Sequence, residues 1–180
     1  MRRLLLAILL LLLLGSPFLA KGPKVGKISC AFENLHLLAS FSLQEGFLSS
    51  DIMEAINSTK PTTFTYELEV AKKRIGWFDR TIARKVIEKT VTYDNLTRQY
   101  DLSTKIDGEE REKISLTSIE EVADALGRVE GADMGSVVDL LPGEKAYYIR
   151  VRVTLLRGFV LWIIPADEDT GWTEKELKTP

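Results

Sequence analysis

The chain has 180 residues, with 24 basic and 26 acidic side chains for a net charge of −2, one cysteine and one histidine. That near balance excludes a nucleic-acid binder, which needs a basic excess gathered on one face. A lone cysteine excludes a disulfide-stapled scaffold, and the length suits one domain behind a short leader.

Residues 1–20 have the three-part layout of a secretory signal peptide. Arg2 and Arg3 form a charged start, Leu4 to Leu14 is an unbroken apolar run, and Gly15, Ser16 and Pro17 break it before Ala20. A transmembrane helix needs roughly 20 apolar residues, and this run is shorter. Cleavage after Ala20 places Phe18 where a small side chain is wanted, so an uncleaved anchor stays open as the alternative. Either way the chain is expected to be periplasmic or otherwise extracytoplasmic, released or held at the inner membrane by this segment. Without Arg2 and Arg3 the 24 basic residues become 22 against 26 acidic, a mature net charge of −4. Residues 21–27 (KGPKVGK) read as a basic spacer, and 28–164 as a single globular domain.

Most of that domain alternates apolar and polar residues with period two, the mark of half-buried strands. Ile28, Cys30 and Phe32 share one face of a first strand, and Asn34 marks a turn. Leu35, Leu37, Ala39, Phe41 and Leu43 line a second strand. Phe64, Tyr66, Leu68 and Val70 line a third, with Thr65, Glu67 and Glu69 opposite. Ile87, Val91 and Tyr93 belong to a fourth, and Asp94-Asn95 reads as a two-residue turn. Tyr100, Leu102, Thr104 and Ile106 follow on a fifth. Asp107-Gly108 predicts a tight hairpin, since both positions favour positive φ, and Ile114 and Leu116 lie on the returning strand. After a turn at Leu141–Glu144, Tyr147, Ile149, Val151, Val153 and Leu155 form the cleanest strand.

Two helices interrupt the strands. In residues 49–58, Ser50 is the expected cap, Ile52, Met53 and Ile56 the buried face, and Pro61 the barrier to continuation. Ser118 to Glu121 is a capping box, followed by the apolar stripe Ile119, Val122, Ala123 and Leu126, with Gly127 as the stop. Tight turns between successive strands imply antiparallel pairing. The expected fold is therefore α+β: mainly antiparallel β, sandwich-like or as a curved sheet, with two short helices. Residues 165–180 read as a polar tail, loose at its end.

Catalytic motifs are absent. His36 faces away from Leu35 and Leu37 and reads as solvated. Cys30 shares an apolar face and reads as a buried thiol, so a Cys30–His36 nucleophile pair is disfavoured. The carboxylates Glu67, Glu69, Asp107, Glu109, Glu110, Glu112, Asp167, Glu168 and Asp169 read as solvated charge. No cofactor or metal is expected, and no enzyme. Arg150 and Arg152 point the same way on the last strand. They suit either an anion such as a lipid headgroup or a cross-strand ladder with Glu67 and Glu69, the ladder being the simpler reading. Phe159 to Ile164 is apolar without alternation, after Gly158 is expected to have ended the strand. This run, with Phe159 and Trp162, is either a core edge strand or a docking patch.

Tyr93-Asp94-Asn95-Leu96-Thr97-Arg98-Gln99-Tyr100, preceded by Trp77-Phe78-Asp79 and followed by Tyr147-Tyr148-Ile149-Arg150-Val151, resembles the bacterial family catalogued as domain of unknown function 4390. The segment from Leu43 to Thr65 fits too, and the likeness covers roughly Val25 to Leu156. It implies an exported bacterial protein with an association with envelope signalling, and no catalytic or ligand residues to carry over. The expected function is a monomeric, non-enzymatic envelope domain that binds a protein partner or contacts lipid, and no nucleic acid. The alternatives are a carrier of a small apolar or lipid ligand and a carboxylate-dependent envelope hydrolase.

Overall fold

The structure, a computed structural model, describes residues 24–136, 140, 146–160 and 164–178. The leader 1–20, the Leu141–Glu144 turn and Trp162 lie outside the described residues. Among the described residues, ten strands and two helices follow in the order β1 (Val25–Glu33), β2 (His36–Leu43), α1 (Ser50–Asn57), β3 (Thr62–Lys72), β4 (Arg80–Asp94), β5 (Gln99–Ile106), β6 (Glu109–Leu116), α2 (Ile119–Gly127), β7 (Arg128–Ser136), β8 (Tyr147–Val160), β9 (Ile164–Asp169) and β10 (Thr173–Glu176). All pairings are antiparallel. The α+β reading with two helices is therefore correct.

The strands form two sheets. The smaller has the order β1-β2-β7, and the larger β10-β8-β3-β4-β5-β6, with β9 also on β8. Alternation decides which face each strand buries. Leu37, Ala39, Phe41 and Leu43 of β2 face Phe64, Tyr66, Leu68 and Val70 of β3 across one core. Phe41 meets Tyr66 with ring centroids 5.9 Å apart, and Phe47 meets Phe64 edge-on at 6.2 Å. Both helices contribute to the same core, α1 through Ile52 and Ile56 and α2 through Val122 and Leu126. A buried hydroxyl must find a partner: Tyr66 donates to the Leu126 carbonyl at 2.5 Å and Tyr100 to Asn57 Oδ1 at 2.8 Å.

Local chemistry moves several details from their expected places. Ser49, not Ser50, caps α1, its hydroxyl accepting from the Ile52 N–H, and Met53 is exposed. Ser118 caps α2 as expected, but Glu121 reaches the Thr117 N–H and hydroxyl. Leu35 is in the turn with Asn34, both at positive φ, and is exposed. The Asp94-Asn95 turn is a longer loop ending at Arg98, because Asp94 Oδ1 accepts from the Leu96 and Thr97 amides. Asp107 and Gly108 both take positive φ, as the hairpin requires. Residues 25–27 of the supposed spacer belong to β1. Gly158 does not end β8, which continues to Val160 because β9 pairs with it. The polar tail contains β9 and β10, so it is not loose over those strands. Cys30 is only half-buried, with burial pushing its thiol pKa up, because β1 lies at the edge of the smaller sheet.

Candidate functional site

The outer face of the larger sheet is built around β3. Its alternation turns Glu67 and Glu69 away from the core, yet they are only 9 % and 7 % exposed. They are not the solvated carboxylates that the sequence suggests. Register places Arg152 opposite Glu67, and Arg150 opposite Glu69 on β8; on β4, Arg84 stands opposite Glu69. Arg150 donates to Glu69 Oε2 from Nε at 2.8 Å and from its terminal nitrogen at 2.6 Å. Arg152 donates twice to Glu67 Oε2, its Nε at 2.8 Å, and Arg84 donates to Glu67 Oε1 at 2.5 Å. Burial pushes the Glu67 carboxyl up, but the hydrogen bonds and charges of Arg152 and Arg84 outweigh it and hold the group below the usual carboxylate range.

A sixth residue, Trp172, roofs this lattice. Asp169 Oδ1 accepts from the Gly171 N–H in a turn where Gly171 takes positive φ. The chain then brings Trp172 over both guanidiniums, whose carbons lie 4.5 and 4.7 Å from the indole ring. Arg150 and Arg152 thus form the expected ladder with Glu67 and Glu69, and their hydrogen bonds are directed inward. Of the other proposed surface, Phe159 pairs through its backbone with Pro165, and Trp162 lies outside the described residues.

A second feature stands at the end of β3. The loop from Lys73 to Asp79 joins β3 to β4 and carries Ile75 (102 % exposed), Trp77 (79 %) and Phe78 (94 %). Its base is tied. The Lys73 N–H donates to the Ala146 carbonyl at 2.8 Å. Asp79 accepts from the Arg74 N–H at 3.2 Å and from the Tyr148 hydroxyl at 2.7 Å. The Tyr148 bond first, then the Arg74 amide, hold the Asp79 carboxyl below its usual range. Burial, and after it this bond, push the Tyr148 hydroxyl up to about 12. Two segments far apart in sequence, Trp77-Phe78-Asp79 and Tyr147-Tyr148, therefore meet through one carboxylate. Nothing in the spacing of the two segments along the chain signals that contact.

Other places offer less chemistry. His36 Nδ1 lies 3.0 Å from the Asp133 carboxylate, both side chains half-exposed. Cys30 stands opposite Ala39 and His36 opposite Glu33, so register does not pair the thiol with the imidazole. A cavity of about 280 Å³ opens where β4, β5 and β6 meet the end of α2, with Ile87, Leu102, Ile106 and Ile114 among its walls. Lys89 at its rim donates to the Ala125 and Arg128 carbonyls at 2.5 and 2.6 Å. Burial pushes that ammonium pKa down to about 8, against the charges of Glu112, Asp124 and Glu130, which favour its charged form. A wider depression of about 750 Å³, rimmed by Glu45, Glu120, Asp124 and Arg128, lies beside α2. Among the described residues, no group of three His, Cys, Asp or Glu side chains is placed to hold a metal.

Fold and surface together define a two-layer antiparallel α+β domain with a tied, apolar loop at one end. The chain belongs to the family described as a domain of unknown function, DUF4390, whose profile matches residues 20–158. Neither the curated proteins nor the solved structures contain a match.

Proposed function

We propose that this chain is a non-enzymatic interaction domain of the bacterial envelope, carried out of the cytoplasm by its leader, and that it docks through the β3–β4 loop. The observation that carries this reading is the exposure of Ile75, Trp77 and Phe78 on a loop whose base is fixed by Asp79, Tyr148 and Ala146. Scattered apolar residues on a surface need no explanation. Three within four positions, two of them aromatic and all held away from the core, form the kind of patch that marks an interaction site. Arg150 and Arg152 of the outer face, by contrast, each direct two hydrogen bonds at Glu69 or Glu67. The cavity between β4, β5, β6 and α2 has the charged Lys89, Glu112, Arg128 and Glu130 in its lining, which disfavours carriage of an apolar ligand there.

The test is a photoreactive residue in the full chain, expressed in its own cells, at position 78 or at position 96. Leu96 is also 94 % exposed, at the other end of β4. Docking through the loop predicts adducts, with protein or with lipid, from position 78 at least fivefold above those from 96. Equal yields at the two positions would remove the docking reading.

A further inference from the structure

We infer that the partner of the β3–β4 loop is the surface of an anionic lipid bilayer, an inference that rests on the docking reading above. Two independent features of the loop converge on it. The first is charge. Residues 72–80 (KKRIGWFDR) hold Lys72, Lys73, Arg74 and Arg80 against one acid, Asp79. That acid is turned back into the fold, accepting from Arg74 N–H and Tyr148. Lys72 and Lys73 are held at the foot of the loop, their ammonium groups 5.3 and 5.4 Å from the ring centres of Tyr147 and Tyr148. Basic residues therefore outnumber the single acid around the apolar tip by four to one, leaving the segment a net charge of +3. The whole chain is acidic overall, so this local excess is a property of the loop and not of the protein.

The second feature is the shape and type of the apolar group. Ile75, Trp77 and Phe78 project from a turn whose left-handed Gly76 has no neighbouring atoms where a Cβ would stand. The three exposed side chains form an apolar wedge with Lys73, Arg74 and Arg80 on either side of it in the chain. A wedge of Trp, Phe and Ile between Lys and Arg is the side-chain set that settles at a membrane interface. The indole and phenyl rings sit at headgroup depth and the cations on lipid phosphates. Each Lys or Arg near an anionic surface strengthens binding by about fivefold, an effect confined to the Debye length and so weakened by salt.

The leader's own apolar run would attach the full chain to any vesicle, so the experiment reads the depth of the loop and not binding. Full-length Cys30→Ser, with either Phe78→Cys or Leu96→Cys, is labelled with an environment-sensitive fluorophore and reconstituted with vesicles. Cys30→Ala serves as the second background if the serine variant folds poorly. On phosphatidylcholine with about one-third phosphatidylglycerol, the label at 78 should shift to the blue and be quenched by bromine-bearing acyl chains. The label at 96 should stay water-like. Pure phosphatidylcholine, half-molar salt, or the pair Lys73→Glu and Arg74→Glu should each reverse most of the shift at 78. A label at 78 that stays water-like on the anionic vesicles overturns the lipid assignment. If position 78 nonetheless crosslinks to a protein in cells, docking stands and its partner is that protein.

Discussion

The outer face of β3 and the loop at its end invert the usual distribution of residues. On the face, Glu67 and Glu69 are buried under three arginines and a tryptophan. A few residues later, Ile75, Trp77 and Phe78 are in solvent. Hydrogen bonding explains the difference. A carboxylate can leave water when every oxygen it turns inward meets a guanidinium donor. An apolar side chain stays in water only when the backbone beneath it cannot fold back, and here Asp79, Tyr148 and Ala146 fix that backbone. The face therefore serves stability and the loop is free to serve binding. Arginine on a surface is thus a weaker pointer to a binding site than an aromatic residue on a restrained loop.

Three measurements test whether the face serves stability. The largest effect is expected from Glu67→Ala, which leaves Arg152 without its carboxylate and Arg84 with only its 3.7 Å contact to Glu69. Breaking a buried pair costs about 3–5 kcal/mol. The partial exposure of the arginines should reduce this to about 2–3 kcal/mol. Denaturant unfolding should show a lower midpoint with an unchanged slope, and an unchanged midpoint would mean that the lattice contributes nothing. Trp172→Ala should cost less, about 1 kcal/mol, since it removes a stacking roof and leaves the ion pairs in place. A loss as large as that for Glu67→Ala would show that the roof, not the pairing, holds the face together. The smallest effect concerns pH. The folded Glu67 carboxyl lies below its ordinary value of 4.5. Its contribution is therefore complete above that value and is lost as pH falls through the depressed folded value. Melting temperature should be flat near neutrality and fall below about pH 4.5, more steeply in the wild type than in Glu67→Ala. Parallel acid limbs in the two proteins would contradict this.

Much of the fold was legible because most strands keep period two. The inner residues of β2, β3, β5 and β8 could be read directly. β7 could not: Gly131 and Gly135 take positive φ, and its register with β2 shifts twice, so Val129, Ala132 and Met134 keep no strict alternation. β10 reads TEKE, and its pairing is set by β8, not by its own pattern. The Arg150–Glu69 and Arg152–Glu67 ladder was readable because both strands alternate in phase. The burial of those glutamates was not, since it depends on Trp172, reached only after the chain has turned at Gly171. The loop carried a visible signal, Ile-Gly-Trp-Phe between basic residues. A short apolar stretch has no period, however, and only the tie from Asp79 to Tyr148 shows that it is held outward.

The second edge of β8 is covered along most of its length. β10 pairs with Tyr148–Val151, β9 pairs from Thr154 to Val160, and between them Thr170 bonds both polar groups of Val153. The family match stops at residue 158, before either of these strands. A protein truncated there would keep every residue of the match and lose the cover of its longest buried strand. Its exposed amides and carbonyls would sit beside Ile149, Val151, Val153 and Leu155, an open template for pairing with another chain. The strands beyond residue 158, outside the family's boundary, thus cover an edge that would otherwise be open to pairing.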